Sequence, residues 1–353
     1  MDKKMNIGIL TFHHTTNYGA TLQAYALSRF IQDQGHDVEF INYQPEKAVK
    51  VYNDTLYFRA RKREITGNLL KDLKMRWFVK KRMKVGKCVY SDSHSLKKAH
   101  FNYDAVFVGS DEVWNINSFR GYDTSYFLDF LSSKTRKISY AASFGSTISL
   151  ADQKEAITDF ISDFDRISVR DSNSLNLIQS ECKANAEKVL DPTFLIDFEQ
   201  IANKPKSKEC VLIYGKIPEP LTASVKKVST KLNLPIVSIG YANGIADANL
   251  LGVSPEEWLS CFSKANYIFT SFFHGTIFSI LFKKPFTVFS AEQKKAKLTD
   301  LLTDLDLNDR IHSSTCKNDI DFSSIDYKLV FERVEEKRLT SKKFLLESLS
   351  HGN

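Results

Sequence analysis

Residues 270–279 read Thr270-Ser271-Phe272-Phe273-His274-Gly275-Thr276-Ile277-Phe278-Ser279, a short polar turn between two apolar runs with one histidine in it. Tyr267 to Phe269 reads as the end of a strand and Ile277 to Phe282 as the body of the next element. A strand end that feeds a helix start is where an open α/β sheet gathers its ligands. Free N–H groups and the positive field of a helix start favour an anion there, so Ser271, Gly275 and Thr276 are candidates to hold one. A histidine at that point can pass protons near neutral pH. The alternative is a histidine that merely fills the turn.

Other turns repeat this layout. Asp111-Glu112-Val113-Trp114-Asn115 follows an apolar run and the turn Gly109-Ser110. Carboxylate, indole and amide together suit a sugar, as an acceptor for hydroxyls and a flat face for the ring; a tryptophan packed on a sheet edge is the alternative. Arg170-Asp171 lies just past a strand, where the arginine can grip a carboxylate or phosphate with two N–H groups, or pair with Asp171. Asn17-Tyr18-Gly19-Ala20 opens the first helix with small residues that let a ligand near the backbone. Lys294, Lys295 and Lys297 precede Leu298, Leu301 and Leu302 and can close on a phosphate or point into water. The chain has no GxGxxG fingerprint, P-loop, HExxH or Ser-His-Asp order, and no metal-ligand cluster is expected.

Positioning these turns requires alternating strands and helices. Strands are predicted at Ile7 to Phe12, Val38 to Ile41, Ala105 to Val108, Ile138 to Ala141, Arg166 to Val169 and Lys188 to Leu190. A helix with Leu22, Tyr25, Ala26, Leu27, Phe30 and Ile31 on one face joins the first two and stops at Gly35. Asn203-Lys204-Pro205-Lys206-Ser207-Lys208 reads as a linker, after which the pattern restarts. Strands follow at Val211 to Tyr214, Ile236 to Ile239 and Pro285 to Phe289, with helices at Leu221 to Leu232 and Pro255 to Phe262. The fold class is α/β: two Rossmann-like, doubly wound lobes facing a cleft. The domains are 1–202, with a basic helical insertion at about 56–100, then 209–330, then a long helix at 331–353 that can pack back on the lobes.

The chain has 353 residues, too many for one ordinary core. Its net charge of +7 favours anionic partners without naming one. Five scattered cysteines, without a CxxC pair, suit a reducing cytoplasm and argue against a zinc knuckle. No signal peptide or membrane span is expected. Arg59 to Lys87 carries twelve lysines and arginines against Glu64 and Asp72, together with Leu69, Leu70, Leu73, Met75, Trp77, Phe78, Val79 and Met83. Such a helix can lie on an anionic membrane surface or simply face water. Nucleic acid ranks last, because no nucleic-acid-binding motif is present.

Six stretches in this order resemble the bacterial polysaccharide pyruvyl transferases over nearly the whole chain: Asn17 to Leu27, Val108 to Asn115, Tyr140 to Gly145, Ile167 to Asp171, Leu190 to Thr193 and Ser271 to Thr276. The resemblance implies a GT-B-like pair of lobes and transfer of pyruvate from phosphoenolpyruvate to two hydroxyls of a sugar, releasing phosphate. It implies His274 as the catalytic histidine, Arg170 as a grip on the donor and Lys297 as the basic residue before the helix at Leu298. Lys295, Ser271, Gly275 and Thr276 are the further expected donor contacts. Asp111 is the candidate to ease positive charge at the ketal carbon. Asn17, Tyr18, Gly19, Ser110, Trp114 and Asn115 are the expected acceptor contacts. The donor is a substrate, so no cofactor is expected; a lipid-linked acceptor at the inner face of the membrane is. Some members carry an arginine two residues before the histidine, where this chain has Phe272.

Overall fold

A computed structural model describes residues 4–55, 62–202, 208–290, 292–313 and 324–350. The expected linker falls outside these residues except for Lys208, and so do Arg59, Arg61 and Cys316. The chain divides into two compact units, one of Met1–Asn53, Val79–Ile196 and Glu335–Asn353, the other of Asp54–Phe78 and Asp197–Val334.

The first unit is built on six strands: β1 (Asn6–Leu10), β2 (Asp37–Phe40), β3 (Ala105–Val108), β4 (Arg136–Ala142), β5 (Arg166–Val169) and β6 (Glu187–Lys188). They pair in parallel in the order β2-β1-β3-β4-β5-β6. Central strands covered on both faces need unbroken apolar runs, and Ala-Val-Phe-Val of β3 is buried throughout. The second unit has β7 (Cys210–Tyr214), β8 (Ile236–Ile239), β9 (Ala248–Leu250), β10 (Ala265–Thr270), β11 (Phe286–Ser290) and β12 (Ile311–Ser313). These also pair in parallel, in the order β12-β11-β10-β7-β8-β9.

Each order contains one point where the chain reverses its direction of travel across the sheet. It lies between β1 and β3 in the first unit and between β7 and β10 in the second. Helices after these neighbouring strands leave on opposite sides and open a crevice at the carboxyl ends, where ligands of this fold class bind. Asp111 follows β3 and His274 follows β10, so sequence order alone carries both candidates to a reversal point.

Two expected boundaries differ. The insertion at 56–100 is not one body: residues through Phe78 belong with the second unit. The helix Lys62–Arg82 packs there because Gly67 has no side chain to strike Leu251; an added Cβ would stand 2.6 Å from it. Lys74 also reaches Glu257 at 2.7 Å, the residue that closes a capping box with Ser254 at the start of helix Pro255–Lys264. The long helix is Tyr327–Leu349, and its final part belongs with the first unit, where Ser341 accepts the Leu190 N–H at 2.9 Å.

Candidate functional site

In the second unit β10 ends at Thr270, whose hydroxyl donates to the Tyr214 carbonyl at 2.9 Å and accepts the Phe272 N–H at 3.2 Å. That pins the turn against the end of β7. The helix Phe273–Leu281 begins at once, with Phe272 at its cap, whose side chain makes no capping hydrogen bond. Gly275 lets this helix start press onto the sheet, since a Cβ there would collide with the Thr270 hydroxyl and Tyr214. Gly215, at φ +135°, does the same beneath Ser271. Thr276 turns its hydroxyl back to the Phe272 carbonyl at 3.2 Å, so its side chain closes the helix turn, which leaves its expected donor contact to the backbone.

His274 is largely buried, edge-on to the neighbouring Phe273 ring at 5.5 Å. Lys297 reaches the same turn, its ammonium 5.9 Å from the Phe273 ring centre. The side chain of Lys295 lies outside the described residues. Phe272 packs on Tyr214 and stacks on Tyr241, with ring centres at 4.8 and 5.2 Å. On Tyr241 in turn sits Lys71, 5.9 Å from the ring centre, a buried ammonium that desolvation pushes down to about 8. Sequence reasoning counts Lys71 only as part of a basic run. Its neighbours on the Lys62–Arg82 helix give no sign that this lysine points into the fold.

In the first unit Arg170 is the hub. Its guanidinium donates to Asp191 at 3.1 Å and lies 3.7 Å from Asp111. Burial works against its charge, but Asp111, Asp191, Glu112 and Asp171 outweigh it and hold its pKa above the ordinary value. Asp191 also accepts from Ser110 at 3.3 Å and from the N–H and hydroxyl of Thr193 at 3.0 and 2.7 Å. Asp171 does not pair off as the sequence allows; it caps the helix Ser172–Ser180 through Ser174. Asp111 has φ +87°, a conformation costly for a residue with a side chain and one that clusters at functional sites. Its carboxylate accepts the Glu112 N–H at 2.8 Å.

The expected acceptor contacts mostly turn inward. Trp114 is 1% exposed, donates to the Tyr126 carbonyl at 2.9 Å and stacks at 4° on Phe127. It has no free face for a sugar, and it anchors the core of the first unit with Phe144 and Phe164. Trp114→Ala should cost about 3–5 kcal/mol in a denaturation measurement; a loss below 1 kcal/mol would remove it from the core. Tyr18 and Ser110 are fully buried, and Asn115 holds Glu112 at 2.9 Å. Asn17 remains exposed but caps the helix Tyr18–Asp33 through the Gly19 N–H at 3.0 Å.

Two histidines in the loop after β1 carried no signal beyond being loop residues. His13 bonds the Thr11 carbonyl and the Asn42 amide, each at 3.2 Å, and burial holds its pKa below the ordinary value. Burial, helped by His13 and Arg120, lowers His14 to about 3. The unfolded chain therefore takes up a proton at about pH 6.5 that folded His14 refuses. Stability from this group is complete above pH 6.5 and declines as the pH falls towards 3, by about 1.4 kcal/mol per unit. Urea melts from pH 7 to 4 should show a shallower decline for His14→Gln than for the wild type; parallel curves would contradict the assignment.

The family model for polysaccharide pyruvyl transferase matches residues 17–292. The chain belongs to that family. Its fold is similar to that of Arabidopsis thaliana UGT89C1 complexed with UDP-L-rhamnose, with 10% identity, 98% of each chain covered and a TM-score of 0.53. It is also similar to an alpha-glucosyltransferase in complex with UDP and a DNA 13-mer, with 10% identity, 97% and 95% covered and a TM-score of 0.50. Likeness at that identity speaks for the GT-B fold alone. No curated protein matches the sequence.

Proposed function

We propose that this chain transfers pyruvate from phosphoenolpyruvate to two hydroxyls of a sugar in a surface-polysaccharide precursor. The observation that carries the reading is His274, set by a family motif at the reversal point of the second sheet, in the first turn of a helix with Lys297 beside it. Phosphoenolpyruvate is small and densely anionic, so it needs cations and backbone N–H groups. Lys297 and Lys71 supply the first, and the start of the helix Phe273–Leu281 adds the positive field that favours an anion. Lys71 takes over the role of the arginine that some members have at position 272.

In the reaction one sugar hydroxyl adds to the enol carbon while a proton reaches the methylene, which becomes methyl. The second hydroxyl then bonds the same carbon as phosphate departs. One hydroxyl proton thus ends on the methyl group and the other leaves with phosphate. His274 is the acid that protonates the methylene. The test is incubation with phosphoenolpyruvate and a glycan-lipid extract. Phosphate release, together with a new ketal methyl signal by NMR, is expected. Sugar transfer from a nucleotide sugar instead would make the chain a glycosyltransferase, and glycan binding without turnover a non-catalytic relative.

A lipid-linked acceptor requires the protein at a membrane surface. None of the described helices is long and apolar enough to cross a membrane. The helix Lys62–Arg82 exposes Leu69, Leu73 and Trp77, one per turn and each about half accessible, and continues into Lys80 and Lys81. Each cation near an anionic leaflet contributes roughly 1 kcal/mol. We expect cosedimentation with phosphatidylserine vesicles at low salt that weakens at high salt and drops when Lys80, Lys81 and Arg82 become Glu. Indifference to both changes would leave the helix as a solvated face.

A further inference from the structure

Segments leaving the carboxyl ends of β1, β2 and β3 bring a second cluster together in the first unit: His14, Tyr52, Phe119 and Arg120, over Phe12. The His14 and Tyr52 rings meet edge-on at 6.3 Å, and Tyr52 and Phe119 at 5.9 Å. The Arg120 guanidinium lies 3.8 Å from the Phe12 ring centre and 4.5 Å from that of Phe119, and donates to the Tyr52 hydroxyl. Phe119 is 46% exposed, whereas both ring nitrogens of His14 are closed to solvent and have no hydrogen-bond partner among the described residues. Buried polar groups are ordinarily satisfied, and one left unmet marks either strain or a missing ligand. Burial pushes the Tyr52 phenol up, with Arg120 opposing and Asp111 adding to it.

The chemistry is that of a hydroxylated ring. A neutral imidazole offers one donor and one acceptor, which is what a hydroxyl matches. An exposed aromatic face takes the C–H face of a pyranose, and an arginine over phenyl rings still has N–H groups for oxygens. We propose that His14, Tyr52, Phe119 and Arg120 form the subsite for a pyranose ring of the acceptor. The ring stacks on Phe119 while its hydroxyls meet Arg120 and His14. Because the His14 nitrogens are closed, entry moves a side chain of this shell, and Arg120, on an irregular segment, is the long one. The subsite rests on the acceptor being a sugar, as proposed above.

The test is saturation-transfer NMR with the methyl α- and β-pyranosides of galactose, glucose, mannose and N-acetylglucosamine. At least one should bind, and Phe119→Ala, a surface change that leaves the core alone, should weaken it by about tenfold. His14→Ala should do the same, while His14→Gln, which keeps a neutral donor and acceptor, should hold more of the affinity. No saturation by any glycoside, or binding unmoved by Phe119→Ala, overturns the subsite. Phosphoenolpyruvate binding is measured separately by calorimetry. Glycoside binding without it would sink the transfer reaction and keep the subsite. Turnover with an acceptor KM unmoved by Phe119→Ala would sink the subsite alone.

Discussion

His274→Ala should fold like the wild type and release phosphate from phosphoenolpyruvate about 10²–10⁴-fold more slowly, the usual range for a lost acid–base group. The fold should survive because the turn is held by others: Thr270 ties it to Tyr214, and Gly275 seats the helix. The loss should fall on kcat with donor KM nearly unchanged, since the cations Lys297 and Lys71 remain. Activity within a few-fold of wild type would make His274 a packing residue beside Phe273.

Arg170→Ala should cost about 3–5 kcal/mol of stability, because it strands the carboxylate of Asp191, which is almost wholly buried. The sequence reading expects a donor grip whose loss weakens binding. The structure shows a guanidinium already engaged by Asp191 and facing Asp111, so the first effect measured should be on folding. Arg170→Lys should recover part of the stability, lacking the fork that meets both carboxylates. The double change Arg170→Met with Asp191→Asn removes the stranded charge and should be more stable than Arg170→Ala. Donor affinity in that folded variant then decides the remaining role. Wild-type affinity would make Arg170 structural, and a loss above tenfold would place it on the donor. Thermal melts showing Arg170→Ala as stable as the wild type would contradict the buried ion pair itself.

What the sequence reveals follows from how local its causes are. The strand at Ala105–Val108 stands out because a central parallel strand is apolar on both faces, and those at Arg166–Val169 and Ile236–Ile239 because β-branched residues recur in them despite one serine in each. β9 and β12 do not: Ala-Asn-Leu and Ile-His-Ser are three-residue edge strands with no apolar run, and β9 is exposed throughout. Motif turns after strands are visible too, since each is a contiguous run of chain. Which way their side chains point is not, because that is set by partners far off in sequence. Trp114 looks like a sugar platform until Phe127 and Phe144 close over it. Lys71 differs from the lysines around it through its burial over Tyr241, and His14 from other loop histidines through His13, Tyr52 and Arg120. Thr276 spends its hydroxyl on its own helix, as threonines near helix starts commonly do.

The account turns on the donor, so its most direct test is titration calorimetry of the whole chain with phosphoenolpyruvate against a panel of UDP-, GDP- and TDP-sugars. We expect phosphoenolpyruvate to bind, Lys297→Ala and Lys71→Met each to weaken it by about tenfold or more, and no nucleotide sugar to compete. Tight binding of a nucleotide sugar with none of phosphoenolpyruvate would contradict the account.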